Sequence, residues 1–271
     1  VDGKTMLSGS RMTIIAGEFS VLAIICYMLC FTLVRERVEI PANNEKLDIM
    51  KMLRSLVTNR ALIGIIAAAI LLLLAMLGMQ GMSAYVFPNY YGSAQAQSLV
   101  VCAPLASKLS AKFGKKELSV ASCLIGAVFF AICWIMKPAN PYVYVAFYTL
   151  AFVAIGFFNM IIWAMITDVI DDSEVKHGVR EDGTIYSVYS FARKIGQALS
   201  SGMVGGLLSL IGYSEATAFD ANVVDGIFNI SCIVPIIGMV AVALALQFIY
   251  PLNKKRVDEN VAELKKRRGD A

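Results

Sequence analysis

Runs of about 20 mainly apolar residues, separated by short charged stretches, are the feature that most restricts what this chain can fold into. Six of them read directly as spanning helices: Thr13 to Val34, Ala61 to Gly81, Leu118 to Met136, Tyr142 to Thr167, Ile185 to Ile211 and Ile227 to Tyr250. At about 1.5 Å per residue, each is long enough to cross about 30 Å of hydrocarbon. The composition excludes the usual alternative. With 58% hydrophobic residues, 16% charged residues and a mean hydropathy of +0.68, the chain lacks the polar surface of an ordinary soluble domain. An all-α membrane protein is the predicted class.

A seventh stretch, Tyr85 to Ser107, is interrupted by Pro88, Gly92, Gln95, Gln97 and Pro104, and hydropathy alone leaves it open. Charge settles its reading. Of the 24 Lys and Arg, nineteen lie in Arg35 to Arg60, Lys108 to Lys116, Lys176 to Arg180 and Lys254 to Arg268. If Tyr85 to Ser107 spans, all four basic stretches fall on one side, which is the asymmetry expected of cytoplasmic loops. The spacing therefore predicts seven helices, with the amino end outside and the basic tail in the cytoplasm. The basic residues read as topology signals, with no nucleic-acid footprint.

Val1 stands where an initiator Met would, and Val1 to Ser10 has neither the basic start nor the cleavage site of a signal peptide, so the chain is expected to begin in mid-protein. The expected division is a helix closing one bundle (1–34), a charged cytoplasmic linker (35–60), a six-helix bundle (61–250) and a basic cytoplasmic tail (251–271). Cys26, Cys30, Cys102, Cys123, Cys133 and Cys232 lie in or beside apolar runs without CxxC spacing, and His177 is the single histidine. They read as small apolar packing residues, with no metal site and no cofactor.

Chemistry concentrates in 159–213. Arg193 and Lys194 lie nine and ten positions into the Ile185 to Ile211 helix, where a cation is costly unless it faces a watery cavity or snorkels to the interface. Tyr186, Tyr189, Ser190, Arg193, Lys194 and Gln197 recur at steps of three and four and form one expected polar face. Gly196, Gly202, Gly205 and Gly206 are expected to admit a close helix neighbour. Asn159 and Trp163 share a face of the preceding helix. Beyond it, Asp168 and Asp171 are both placed to pair with Arg180 in a charged loop at the cytoplasmic mouth. No GxGxxG, P-loop, HExxH or GxSxG pattern occurs, so catalysis on a covalent bond is not indicated.

The string Trp163, Asp168-x-x-Asp171, Gly178-Val179-Arg180-Glu181-Asp182-Gly183, Tyr186-Ser187 through Lys194-Ile195-Gly196, and Gly212-Tyr213 resembles the glycoside, pentoside and hexuronide:cation symporters. That family is the branch of the major facilitator superfamily that includes the melibiose carrier. Arg35-Glu36-Arg37 and Lys112-Phe113-Gly114-Lys115-Lys116 are similar to its basic loop motifs. The resemblance implies the carboxy-terminal half of a twelve-helix transporter plus the preceding helix, working by alternating access with a missing amino-terminal half. It implies a sugar or glycoside substrate contacted by Asn159, Trp163, Tyr189, Ser190, Arg193 and Lys194, and a cytoplasmic gate of Asp168, Asp171 and Arg180. It also implies a coupling cation, sodium or proton, held by carboxylates in the absent half, and a multi-pass location in the inner (plasma) membrane, its partner the lipid bilayer.

Two departures stand out. The family often has an aromatic residue at Asn159, and 98–104 is about a dozen residues shorter than its equivalent, leaving Ser93 to Ser107 at about 22 Å if helical. Two rival readings remain: a seven-helix receptor or retinal-type photoreceptor, against which no intramembrane Asp or Glu offers Lys194 an obvious counter-ion, and a nonfunctional membrane remnant.

Overall fold

A computed structural model describes residues 9–33, 58–93, 114–178, 180, 182–214 and 216–268, and every regular element among them is helical. The first helix, α1 (Gly9–Leu33), belongs to a unit of its own, Val1–Leu47; its described side chains, including Ile14, Phe19 and Phe31, are exposed. The second unit, Asp48–Ala271, holds α2 (Arg60–Tyr85), α3 (Lys115–Met136), α4 (Pro141–His177), α5 (Asp182–Leu210), α6 (Ala221–Leu244) and α7 (Lys254–Arg268). Of the seven expected spans, six are helices here; in the remaining one, Tyr85 to Ser107, residues 94–107 lie outside the described residues.

Helix α2 is the hub. Asn59 caps it, its side-chain oxygen accepting from the backbone N–H groups of Ala61 and Leu62 at 3.1 Å. Its buried stripe, from Ala61 and Ile65 through Leu72, Ala75 and Met79, packs against α5 and α6, while α3 packs against α4 and α6. Trp134 of α3 donates to the Asn229 side chain of α6 at 3.0 Å, a hydrogen bond between two spanning helices. Around the outside, Leu124, Ile125, Val128 and Ile135 of α3 and Ile237, Leu244 and Phe248 of the α6 region are exposed. So many large apolar side chains on the surface fit a lipid-facing bundle and not a water-facing one.

The bundle has a charged end and an aromatic end. At the first, Arg60 donates to the Phe248 carbonyl at 2.8 Å and Lys116 to the Tyr250 carbonyl at 2.7 Å. At the other, Tyr91 donates to the Pro138 carbonyl at 3.0 Å, Phe87 and Tyr90 lie 5.6 and 4.6 Å from Tyr144 and Phe228, and Tyr85 meets Tyr213 at 5.2 Å. Ser93 and Gly114, which bracket 94–113, thus lie at opposite ends, the parity that the basic residues demand.

Two expected boundaries are corrected. The second span does not stop at Gly81: α2 runs through Tyr85 and continues as a π-helical turn, Val86–Tyr90. Pro88 lacks an N–H and its ring crowds the carbonyl four residues back, which widens the turn and leaves the chain helical. Buried Val86 and Phe87 then hold it. The charged stretch after Thr167 is no loop; α4 continues ten residues to His177 and ends at Gly178, whose φ of +74° suits glycine. The expected tail forms α7, which packs on α4. Cys123, Cys133 and Cys232 are buried packing residues as expected, Cys26 and Cys30 are exposed on α1, and Cys102 lies outside the described residues.

Candidate functional site

Helix α5 is two-faced. Ile185, Tyr189, Ala192, Gly196 and Ser200 are buried at steps of three and four, whereas Tyr186, Ser190, Lys194, Gln197 and Ser201 form an exposed stripe on another side. The expected single polar face therefore splits. Tyr189 belongs to the buried stripe, with no exposed area, and Arg193 is half-buried at the border. Gly196 admits α2 as expected: a Cβ there would meet Leu73 and the Ile70 Cα at 3.2 and 3.3 Å. Gly202, Gly205 and Gly206 do not, since a Cβ on any of them meets nothing within 4 Å.

The border is where α4 and α5 meet chemically. Trp163 and Tyr189 make an edge-to-face pair at 5.4 Å. The Arg193 guanidinium lies 5.2 Å from the Trp163 ring centroid and 5.8 Å from that of Tyr189, and donates to the Tyr189 hydroxyl at 3.2 Å. Trp163 remains 45% exposed, so part of its surface is open beside the cation. Of the six expected substrate residues, the structure thus brings together Trp163, Tyr189 and Arg193. Ser190 and Lys194 are exposed without partners among the described residues, and Asn159 lies one turn from Trp163 with a buried side-chain oxygen that has no hydrogen-bond partner.

At the charged end, the expected gate divides into two linked groups. Arg180 pairs with Asp171 and Glu174 at 2.8 Å and with Asp182 at 2.9 Å. Burial works against its charge, but the hydrogen bonds it donates to these three carboxylates outweigh it and raise the Arg180 pKa further, so the guanidinium is a permanent cation. Asp168 does not reach Arg180; it pairs with Lys115 of α3 at 2.7 Å. Lys115 follows Gly114, whose φ of +90° sets the entry to α3. A cavity of about 110 Å³ between these residues, Tyr250 and Asp258 has room for a few waters.

The sequence reading missed a third cluster. Asp172 is fully buried and is shared by Lys176, by Arg256 at 3.2 Å and by Asn260 at 3.2 Å, the last two from α7. Arg268 adds a bond to Glu174 at 2.7 Å and Arg267 one to the Val175 carbonyl at 3.3 Å. Val257, Val261 and Leu264, at steps of four and three, were the available sign that this basic segment is a docking helix. Among the described residues no group of three His, Cys, Asp or Glu could hold a metal ion.

A family profile described as MFS/sugar transport protein matches residues 2–254. An uncharacterized symporter of Bacillus subtilis, YjmB, is 28% identical over 93% of this chain and 57% of its own length. A putative sulfoquinovose importer of Escherichia coli is 32% identical over 62% of this chain and 35% of its own length. A glucuronide carrier protein homolog of Escherichia coli is 26% identical over 92% and 56%. The chain spans about half the length, or less, of these relatives.

Proposed function

Because the chain belongs to the MFS/sugar transport protein family, a family of membrane transporters and not of enzymes, we propose that it supplies the carboxy-terminal half of a cation-coupled sugar symporter. One observation carries this reading: a half-buried arginine set over a partly exposed tryptophan where α4 and α5 meet. A sugar ring presents apolar C–H faces and directional hydroxyls, which an aromatic surface flanked by Arg, Ser, Asn and Lys groups matches. Family membership also displaces the photoreceptor reading, in which Lys194 would carry a chromophore.

In this proposal the two halves rock about a central site and the Asp171–Arg180 group closes the cytoplasmic mouth. On the same proposal the coupling cation sits on carboxylates of the other half; between Arg60 and Thr167 the sequence has one acid, Glu117, in the first turn of α3. Full-length protein in proteoliposomes is expected to accumulate radiolabelled methyl β-D-glucoside or methyl β-D-glucuronide under an inward sodium or proton gradient. Accumulation of neither, under either gradient, would refute sugar symport.

Trp163→Ala is expected to cut uptake about tenfold, equivalent to about 1.4 kcal/mol of lost cation–π and stacking contact, with the melting temperature unchanged. Uptake equal to wild type would remove Trp163 from the pathway. In this proposal the charged end faces the cytoplasm of a plasma-membrane protein, a reading that the basic residues gathered there support. A cysteine at exposed Lys265 is accordingly expected to resist an impermeant thiol reagent in intact cells and to react in inverted vesicles; the reverse pattern would invert the topology.

A further inference from the structure

We propose that Cys133 of α3 and Cys232 of α6 form an oxidisable thiol pair, which hydrogen peroxide converts to a disulfide that staples the two helices together. This goes beyond the transport reading and does not depend on the substrate. Three observations combine, and the first is register. Lys116 of α3 reaches the Gln247 carbonyl of the α6 region at 3.2 Å, a Cβ at Gly126 would lie 2.7 Å from the Met239 sulfur, and Trp134 donates to the Asn229 side chain at 3.0 Å. Numbers rise along α3 as they fall along α6, so the helices run antiparallel and touch at three levels. Two helical turns, about seven residues, bring the same face round again. Seven on from Gly126 is Cys133 and seven back from Met239 is Cys232, so the two cysteines occupy facing positions.

Second, both side chains are fully buried and their thiols interact directly. A disulfide needs side chains that point at each other, and this pair meets that condition. Cys123, ten positions back along α3, is about 15 Å away. Third, Cys133 lies in the last turn of α3, its carbonyl accepting the Lys137 N–H at 3.0 Å where the chain leaves the helix. Helix ends open locally at low cost, and hydrogen peroxide is neutral and little larger than water. On the topology proposed above this end faces outward, the side on which disulfides persist.

The chemistry balances in two steps. One thiol sulfur attacks a peroxide oxygen, the O–O bond breaks, and a sulfenic acid and a water form. The other thiol then attacks that sulfur, and its proton leaves with the hydroxyl as a second water. Each sulfur gives up one electron and the peroxide takes both. The bond joins positions 99 apart in sequence, so it restricts the unfolded chain far more than a local bridge would. The opposing explanation is that the two residues only fill space; buried thiols of that kind are inert and stay reduced.

Full-length protein in detergent is treated with millimolar hydrogen peroxide, denatured in N-ethylmaleimide and peptide-mapped without reductant. The expected result is a linked Cys133–Cys232 peptide that disappears after dithiothreitol, with Cys123 recovered alkylated. The linked protein is expected to melt about 5 °C or more above the reduced protein. Cys133→Ser and Cys232→Ser are each expected to lose that peroxide-dependent rise. Recovery of both cysteines alkylated, as separate sulfinic acids, or bridged to other cysteines would overturn the pair. A linked protein with an unchanged melting temperature would overturn the staple. The wild-type map decides the pairing without requiring either variant to fold.

Discussion

Gly238→Leu is expected to abolish assembly of the bundle. A Cβ at Gly238 would lie 2.6 Å from the Ala75 Cβ and 3.1 Å from the Ala75 Cα, distances that no rotamer change relieves because the obstacles are backbone and first side-chain atoms. The same crossing is tight near its charged end, where a Cβ at Gly64 would lie 2.8 Å from the Tyr250 Cα. Between these points α2 and α6 bury Ile65, Leu72, Met239 and Val242, so forcing the helices apart costs contacts along much of their length. Overpacking by a few methylenes in a tight core costs about 1–3 kcal/mol, and a leucine here displaces backbone as well. Extracted Gly238→Leu protein should give almost no monodisperse peak in size-exclusion chromatography, with Gly238→Ala intermediate. A leucine variant of wild-type yield and melting temperature would mean that α2 and α6 do not approach this closely.

Asp172→Ala is expected to release α7. The carboxylate is fully buried and its three partners all point inward to it, so its loss strands Arg256 and Asn260 against α4. Breaking a fully buried pair costs about 3–5 kcal/mol; because Lys176 and Arg256 are 38% and 45% exposed, water recovers part of that, and about 2 kcal/mol is the expected loss. That corresponds to about a 30-fold rise in the detached population. Trypsin cutting at Lys254, Lys255 and Arg256 should speed up by a similar factor, with Asp258→Ala, which removes a carboxylate outside the cluster, as the control. Unchanged cleavage in Asp172→Ala would show that other contacts hold the helix.

What the sequence made legible follows from the solvent. Lipid permits few ways to satisfy a backbone, so apolar runs sufficed to locate six helices and their order. Boundaries were harder, because the residues that mark them take their meaning from tertiary contacts. Pro88 and Gly92 read as breakers, yet Phe87 and Tyr90 pack on Tyr144 and Phe228 and keep the turn helical. Asp168 to Lys176 reads as a solvated loop, although Lys176 and His177 followed by Gly178 make a recognisable helix ending.

The site was legible in its parts but not in its pairings. Periodicity located Arg193 and Tyr189 on one helix, and a lone tryptophan marked the neighbouring one. That Tyr189 turns inward while Arg193 covers Trp163 depends on where α2 presses on α5, which no local pattern encodes. Likewise Asp168 takes Lys115, 53 residues away in sequence, over the nearer Arg180, because the amino end of α3 packs beside it.

The unexpected length of α4 has a mechanical meaning. A helix of 37 residues is stiff, and its last ten extend about 15 Å past the apolar segment that anchors it. For a bundle that tilts by about 15°, such an overhang sweeps its tip through about 4 Å, the difference between an ion pair made and one broken. Asp171, Asp172 and Glu174 all ride on this overhang. In such a tilt the overhang would act as a pointer needle: a small angular change deep in the lipid would be magnified where the charges sit, with no helix having to bend.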